Sequence, residues 1–345
     1  MHNELPSYGQ APAGAIRYNT DSNKLEVYIG GPVGYGTLPN GQWMQVDNWS
    51  PENQTGGTRG VFGRFLTPSI VKNVEYINVD TTGNSIEFGD TTVARHATSS
   101  CSSSTRGLWM GGEVPSNFSD VIDYVTISST GTAANFGTLL SARAYTRGFG
   151  NSTRGIATGG RSPAAQNVIQ YVTIASTGDT VDFGDLTTNS DGGAPAASST
   201  RGLQMGISTP TATNTIEFVT ISTLGNSADF GDLTSNGNRA GGASNSVRAV
   251  RFANSGSTNE IDYVTISTLG DAIDFGDMPS VSGYGTALAS PTRIAITRGY
   301  DAPSSAYTNE IKYVQIMTTG NAIDFGDMRG VGGDSSGFTN GHGGL

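Results

Sequence analysis

Two residue types recur along this chain where they could do chemistry: an arginine (Arg59, Arg106, Arg154, Arg201, Arg248, Arg293) and an aspartate (Asp90, Asp185, Asp232, Asp277, Asp327). A carboxylate set suggests calcium, but calcium needs six to eight oxygens converging on one point. Copies carried by separate repeats stand too far apart for that. The aspartate is therefore expected to cap a turn by accepting backbone N–H bonds. The arginine could line a channel and bind an anion. The expectation preferred here is a standing interaction, either bonds to backbone carbonyls or an ion pair with the recurring aspartate. One repeat has Thr138 in place of the aspartate, and another has Val247-Arg248-Ala249 where Thr-Arg-Gly is usual. Neither feature is needed everywhere, which points to structure.

Nothing else is spaced for catalysis. The three histidines, His2, His96 and His342, form neither a His-x-His nor a His-Glu-x-x-His pattern. No Gly-x-Ser-x-Gly elbow or phosphate loop is present. The one cysteine, Cys101, rules out an intrachain disulfide and is expected to serve as a small buried hydrophobe. His96 lies five residues from it, so on one strand the two would face opposite ways. The sequence predicts no catalytic residue, no metal ion and no cofactor.

The elements that carry these residues show in the spacing. Tyr76, Tyr124, Tyr171, Phe218, Tyr263 and Tyr313 recur at gaps of 48, 47, 47, 45 and 50. A Phe follows twelve residues after each: Phe88, Phe136, Phe183, Phe230, Phe275 and Phe325. Tandem units of this length mean a solenoid, a propeller or an array. In the third unit, four strands are expected: Ser141–Gly150, Arg154–Gly160, Asn167–Ala175 and Thr180–Leu186. The first two are built of small residues and the last two of β-branched and aromatic ones. Small residues near an axis and bulky ones at a rim suit wedges around a centre. The third strand is apolar on both faces, Val168, Val172 and Ile174 on one and Ile169 and Tyr171 on the other, as befits a sheet stacked between neighbours.

The expected fold is all-β, a six-bladed β-propeller with four strands per blade, over residues 51–345. Its first repeat starts at the second strand, Arg59–Phe65, after a polar lead-in over 48–57. The segment 330–338 resembles a spare first strand that would complete the first blade and leave few open edges. Residues 1–50 form a separate module. Gly14–Asn19 and Lys24–Ile29 alternate around a polar turn over 20–23, and 42–46 offers a third strand. So small a sheet is marginal alone, so Ile16, Tyr18, Leu25, Val27, Tyr28 and Trp43 are its expected anchoring contacts.

A net charge of −10, with 19 Lys and Arg against 29 Asp and Glu, argues against nucleic acid or an anionic membrane as partner. No apolar run is long enough for a helical span, and 1–10 lacks the character of a signal peptide. A soluble chain is expected.

The blade pattern, with Arg-Gly at its start, Gly-Gly at a strand end, Tyr on the third strand and Phe on the fourth, resembles Kelch-type propellers. The wording YVTISSTG, YVTIASTG and FVTISTLG, each followed within the repeat by the Phe-Gly motif, is similar to repeats of virion structural proteins of tailed phages, marine and cyanobacterial ones above all. GAIRYNTDSNKLEVYIG resembles a module at the start of many phage fibre and appendage proteins, and the closing NGHGGL is similar to that group too. The resemblance spans nearly the whole chain. It implies a non-enzymatic tail-fibre or appendage protein, located in the virion after assembly in the host cytoplasm. Its module would join other virion proteins, its loops would meet a host glycan or surface protein, and it would form a homo-oligomer. The alternatives are a capsid or tail decoration protein, a free carbohydrate-binding propeller and, last, a glycan-cleaving enzyme. The Ser-x-Asp-x-Gly-x-Thr-Trp boxes of sialidase-like propellers and the clustered histidines of a Kelch copper oxidase are both missing.

Overall fold

The computed structural model of the chain describes residues 14–19, 24–29, 42–45, 58–63, 65–66, 69–208, 212–237, 240–252 and 258–345. The turn expected at 20–23, Val46 and the lead-in at 48–57 lie outside the described residues. The chain divides into two compact units, Met1–Gln54 and Thr55–Leu345. Among the described residues there is no helix.

In the first unit, Ile16–Asn19, Lys24–Ile29 and Gln42–Gln45 form a three-stranded antiparallel sheet with Lys24–Ile29 in the middle. Cross-strand pairing puts Ile16 opposite Val27 and Tyr18 opposite Leu25 on one face. Arg17 opposite Glu26 and Tyr28 opposite Trp43 occupy the other.

The second unit is propeller-like, and its described residues form six four-stranded antiparallel sheets, numbered I to VI here. Sheet I combines Ser336–Thr339 with Arg59–Gly63, Asn73–Asn78 and Ile86–Asp90. Its first strand thus comes from the far end of the repeat region, Phe338 pairing with Val61. Sheet II is Ser99–Ser102, Arg106–Met110, Val121–Thr126 and Ala134–Thr138. Sheet III is Arg147–Gly150, Arg154–Thr158, Gln166–Thr173 and Val181–Ser190. Sheet IV is Ala194–Ala197, Arg201–Ser208, Ala212–Thr220 and Ala228–Gly237. Sheet V is Gly241–Ser244, Arg248–Phe252, Glu260–Thr265 and Ile273–Asp277. Sheet VI is Ala287–Ala289, Arg293–Thr297, Glu310–Gln315 and Ile323–Asp327.

The first strands are short and made of small residues because their backbones meet. A Cβ on Gly148 would lie 2.4 Å from the Ser100 carbonyl oxygen of the adjacent sheet. Further out the sheets diverge, and apolar side chains fill the gap. Each hydrophobic cluster is shared by two sheets. Leu108, Met110 and Phe136 of sheet II meet Val172 and Ile174 of sheet III, while Ile156, Ile169 and Phe183 of sheet III meet Val219 and Ile221 of sheet IV. Further clusters join I to II, IV to V, V to VI and VI to I. The two-sided apolar pattern of Asn167–Ala175 serves both neighbours: Ile169 and Val172 are buried in different clusters.

The outer part of each sheet is tied to the next by its backbone. The glycine N–H of each third-to-fourth turn donates to the Phe carbonyl of the preceding sheet: Gly131 to Phe88, Gly178 to Phe136, Gly225 to Phe183, Gly270 to Phe230, Gly320 to Phe275 and Gly83 to Phe325, at 2.8–2.9 Å. These bonds occupy carbonyls on outer strands that would otherwise be open edges. They also explain the glycine after each Phe. At Gly184 (φ 150°), a Cβ would lie 2.4 Å from the Gly225 oxygen, so neither the conformation nor the space admits a side chain.

Gly184→Ala is therefore expected to cost about 1–3 kcal/mol of stability through overpacking, read as a lower midpoint in urea unfolding. An unchanged midpoint would contradict this packing.

Candidate functional site

The recurring arginines all do one thing. Each extends from the start of a second strand, lies over the third-strand aromatic of its own sheet, and donates from Nη1 to a carbonyl of the next sheet. Arg59, Arg106, Arg154, Arg201, Arg248 and Arg293 sit 4.3–5.0 Å from the ring centres of Tyr76, Tyr124, Tyr171, Phe218, Tyr263 and Tyr313. The acceptors are Ile127, Ile174, Ile221, Ile266, Ile316 and Asp80, at 2.8–3.2 Å. The carbonyl alternative is the one observed. Among the described residues none of the six forms an ion pair with the recurring aspartate, so that expectation is corrected.

The turn-capping expectation for Asp90, Asp185, Asp232, Asp277 and Asp327 is corrected as well. The residue's backbone, not its carboxylate, makes the contact. Its carbonyl accepts from the next sheet's turn (Ala133 to Asp90, Ser227 to Asp185, Ala272 to Asp232, Ala322 to Asp277, Ser85 to Asp327). In sheets III to VI its N–H donates to an Asn or Asp side chain of that turn, at 3.0 Å. Thr138 makes both contacts equally well, to Thr180 and Asp179, which is why it can replace Asp. Asp90, Asp232 and Asp327 are exposed, and Asp185 and Asp277 are half-buried. Five of the six fourth strands carry two acidic residues each, as in Ile273–Asp277 (IDFGD), so much of the negative charge sits on the outer strands. Charge there discourages edge-to-edge pairing.

A second recurring polar position went unrecognised in the sequence. The residue before each third-strand aromatic is Glu75, Asp123, Gln170, Glu217, Asp262 or Lys312, and the first five are almost wholly buried. Each of those five accepts a backbone N–H from just beyond the preceding sheet's Phe-Gly motif: Arg329 to Glu75, Thr92 to Asp123, Leu140 to Gln170, Thr187 to Glu217 and Thr234 to Asp262, at 2.9–3.2 Å. The sixth donor position is Pro279, which has no N–H, and there the third strand carries Lys312, which pairs instead with Asp324 at 2.9 Å. Donor and acceptor are lost together. Two of the buried carboxylates gain a buried cation. Arg251 forms a bidentate pair with Asp262, both bonds at 2.7 Å, and Arg95 pairs with Asp123 at 3.0 Å. Burial lowers the pKa of Arg95, against the pull of Asp123.

The connections that vary most are those from second to third strands and from each fourth strand to the next first strand, which leave an antiparallel sheet on the same side. Ala97, Tyr145, Tyr284 and Asp334, in the latter connections of sheets II, III, VI and I, all adopt left-handed backbone (φ 45–62°) just before a first strand. Non-glycine residues rarely do so, and the bend brings their side chains together around a small opening with Arg147 and Ser335. His96 Nδ1 pairs with Asp334 at 2.9 Å, and Arg161 stacks 4.3 Å over Tyr145 and reaches Glu113 at 3.4 Å. Tyr284, Tyr300 and Tyr307 pack edge to face. Beside them, burial raises the pKa of the Asp301 carboxyl, but bonds from Ser280 and Ser304 and the Arg298 guanidinium outweigh it and hold it at about 2. The opening shares Thr98, Arg147, Gly285 and Ser335 with a cavity of about 90 Å³ lined by first strands of all six sheets. Half-buried tyrosines, hydroxyls and paired charges suit stacking and hydrogen bonding to a partner's surface.

Elsewhere, Cys101 is buried against Gly155 and burial pushes its thiol up to about 12, so it is an unreactive packing group. Among the described residues no three His, Cys, Asp or Glu side chains are grouped to hold a metal ion. The anchoring residues expected in the first unit do not share one surface. Ile16, Tyr18 and Leu25 are exposed (67, 58 and 45%), with Val27 half-buried beside them. Tyr28 is buried on the opposite face, edge to face with Trp43, whose ring also lies under Arg17. Alternation along the strands carries that signal. No known protein-family profile matches the chain, and no curated protein sequence matches it.

Replacing Arg251 by Met should leave Asp262 buried without its cation, held only by the Thr234 N–H and hydroxyl, and cost about 3–5 kcal/mol, measured by urea unfolding. A loss below about 1 kcal/mol would mean that the pair is not buried as described.

Proposed function

We infer that the six sheets are the blades of a closed six-bladed β-propeller, and that the protein is a non-enzymatic structural component of a tailed-phage virion, a tail-fibre or appendage protein. On this reading the three-stranded sheet fixes it to other virion proteins, and the long connections of the propeller face the host surface.

One observation carries the closure. In sheets II to VI, a Ser or Asn three residues before the recurring arginine accepts that arginine's N–H with its side chain: Ser103, Asn151, Ser198, Asn245 and Ser290. In sheet I no such residue precedes Arg59 in the chain. Asn340, 281 residues away, takes the place, its side chain accepting the Arg59 N–H at 2.8 Å and its own N–H donating back to the Arg59 carbonyl. The sixth turn is rebuilt from two distant segments, as a ring requires. The paired backbone bonds and the shared cluster between sheets VI and I support the same reading.

The attachment role rests on the first unit. An apolar face of exposed Ile16, Tyr18 and Leu25 and half-buried Val27 on a small three-stranded sheet calls for a covering partner. The rigid scaffold suits presentation of loops, and the phage repeats that the chain resembles supply the setting.

The double variant Ile16→Asp/Tyr18→Asp should fold with an unchanged urea midpoint for the propeller yet be missing from purified particles, scored by immunoblot. Incorporation at the wild-type level would refute the anchor. Loss of the variant from particles, together with no binding of the isolated wild-type protein to host cells, would move the chain from appendage to decoration.

A further inference from the structure

At the opposite end of the cavity from the tyrosine-lined opening, the first strands finish at Ser102, Gly150, Ala197, Ser244, Ala289 and Thr339. Residues 341–345, Gly-His-Gly-Gly-Leu, run across these ends. The Gly343 N–H donates to the Ser244 carbonyl at 2.8 Å, and a Cβ there would lie 2.1 Å from the Asn245 oxygen and 2.5 Å from the Ala197 oxygen. A Cβ on Gly344 would lie 1.9 Å from the Gly150 oxygen. The segment fits only because its glycines press flat against sheets III, IV and V. His342 is the one side chain it sends to line the cavity.

The two ring nitrogens of His342 have opposite duties. Nε2 lies 2.9 Å from the Ser102 carbonyl, which can only accept, so Nε2 carries the proton. Nδ1 lies 3.1 Å from the Gly344 N–H, which can only donate, so Nδ1 must offer a lone pair. Both bonds exist only in the neutral Nε2–H tautomer. Adding a proton to Nδ1 sets one N–H against another and charges the ring. No carboxylate among the groups lining the cavity is placed to offset that charge. The titratable or charged ones are the Cys101 thiol, which is neutral, and the Arg147 guanidinium, which is already cationic and sits on the first strand of sheet III. The flanking Asn340 bonds to the backbone of Arg59, whose own guanidinium lies over Tyr76.

We propose that residues 341–345 are an acid-released strap, which seals one end of the cavity at neutral pH and lets go when His342 takes up a proton. The sign follows from the bound state. Burial lowers the imidazole's pKa, and the Ser102 bond only partly opposes it. The docked strap therefore favours the neutral ring. Its stability is full above the ordinary histidine pKa of about 6.5 and falls as the pH drops through that value. Release bares the first-strand ends and opens the cavity at both faces.

Amide exchange of the full chain followed by mass spectrometry tests this, with protection corrected for intrinsic rates at pH 7.5 and 5.0. In the wild type, a peptide covering 341–345 should lose protection by about tenfold or more at the lower pH, while one covering Gln166–Thr173 stays unchanged. His342→Gln keeps a donor and an acceptor without a titrating proton, so its strap should be equally protected at both pH values. His342→Ala should be open at both. Equal wild-type protection at the two pH values, or the same pH-dependent loss in His342→Gln, would overturn the strap.

Discussion

Neighbouring sheets in this protein touch through their backbones at two radii, and that constraint organises the rest. At the centre, first strands approach so closely that a Cβ at Gly148 has no room. At the outside, a turn glycine of one sheet donates to the Phe carbonyl of the sheet before it, against another glycine that must stay bare. Backbone contact at both ends fixes the spacing between sheets, and the apolar clusters fill what lies between. Dense packing leaves little slack for a change in volume.

The buried carboxylates belong to the same scheme. A lone buried charge is costly, and bonds from backbone N–H groups and a hydroxyl offset part of that cost. Glu217 shows the full set: it accepts the Thr187 N–H and hydroxyl across the sheet boundary and the Ser227 hydroxyl from its own sheet. Where Pro279 removes the donor between sheets V and VI, the facing position holds Lys312, itself a donor, and Arg298, Ser280 and Asp301 form a compensating cluster nearby. That boundary is also where the Tyr300–Tyr307 connection departs from the other repeats. The irregular boundary and the most elaborate part of the opening coincide.

Much of this was legible in the sequence because aromatic spacing survives drift. The Tyr and Phe positions located the third and fourth strands of every repeat, and small residues marked the inner ones. Other features were misread for identifiable reasons. The aspartate of the Phe-Gly-Asp motif looked like a side-chain contact, but what recurs is a backbone position, whose carbonyl accepts from the next sheet's turn. The first strand of sheet III begins at Arg147, not Ser141, because Tyr145 turns left-handed ahead of it. The recurring polar position was hidden because its residues vary among Glu, Asp, Gln and Lys. Its signal lay in a correlation, a proline at the donor position in the one repeat that carries lysine at the acceptor. In the first unit, six residues grouped as one contact fall on two faces.

Ring closure decides between this account and a linear array. In an array each unit leans only on its neighbours, so damage stays local; in a ring the loss of one strand weakens every boundary. Amide exchange should be measured by mass spectrometry on the protein with and without residues 335–345, comparing sheet I with sheet IV, three sheets away in either direction. A ring predicts that protection falls in both, by similar factors, because opening becomes global. Loss confined to sheet I and the sheets beside it would contradict closure.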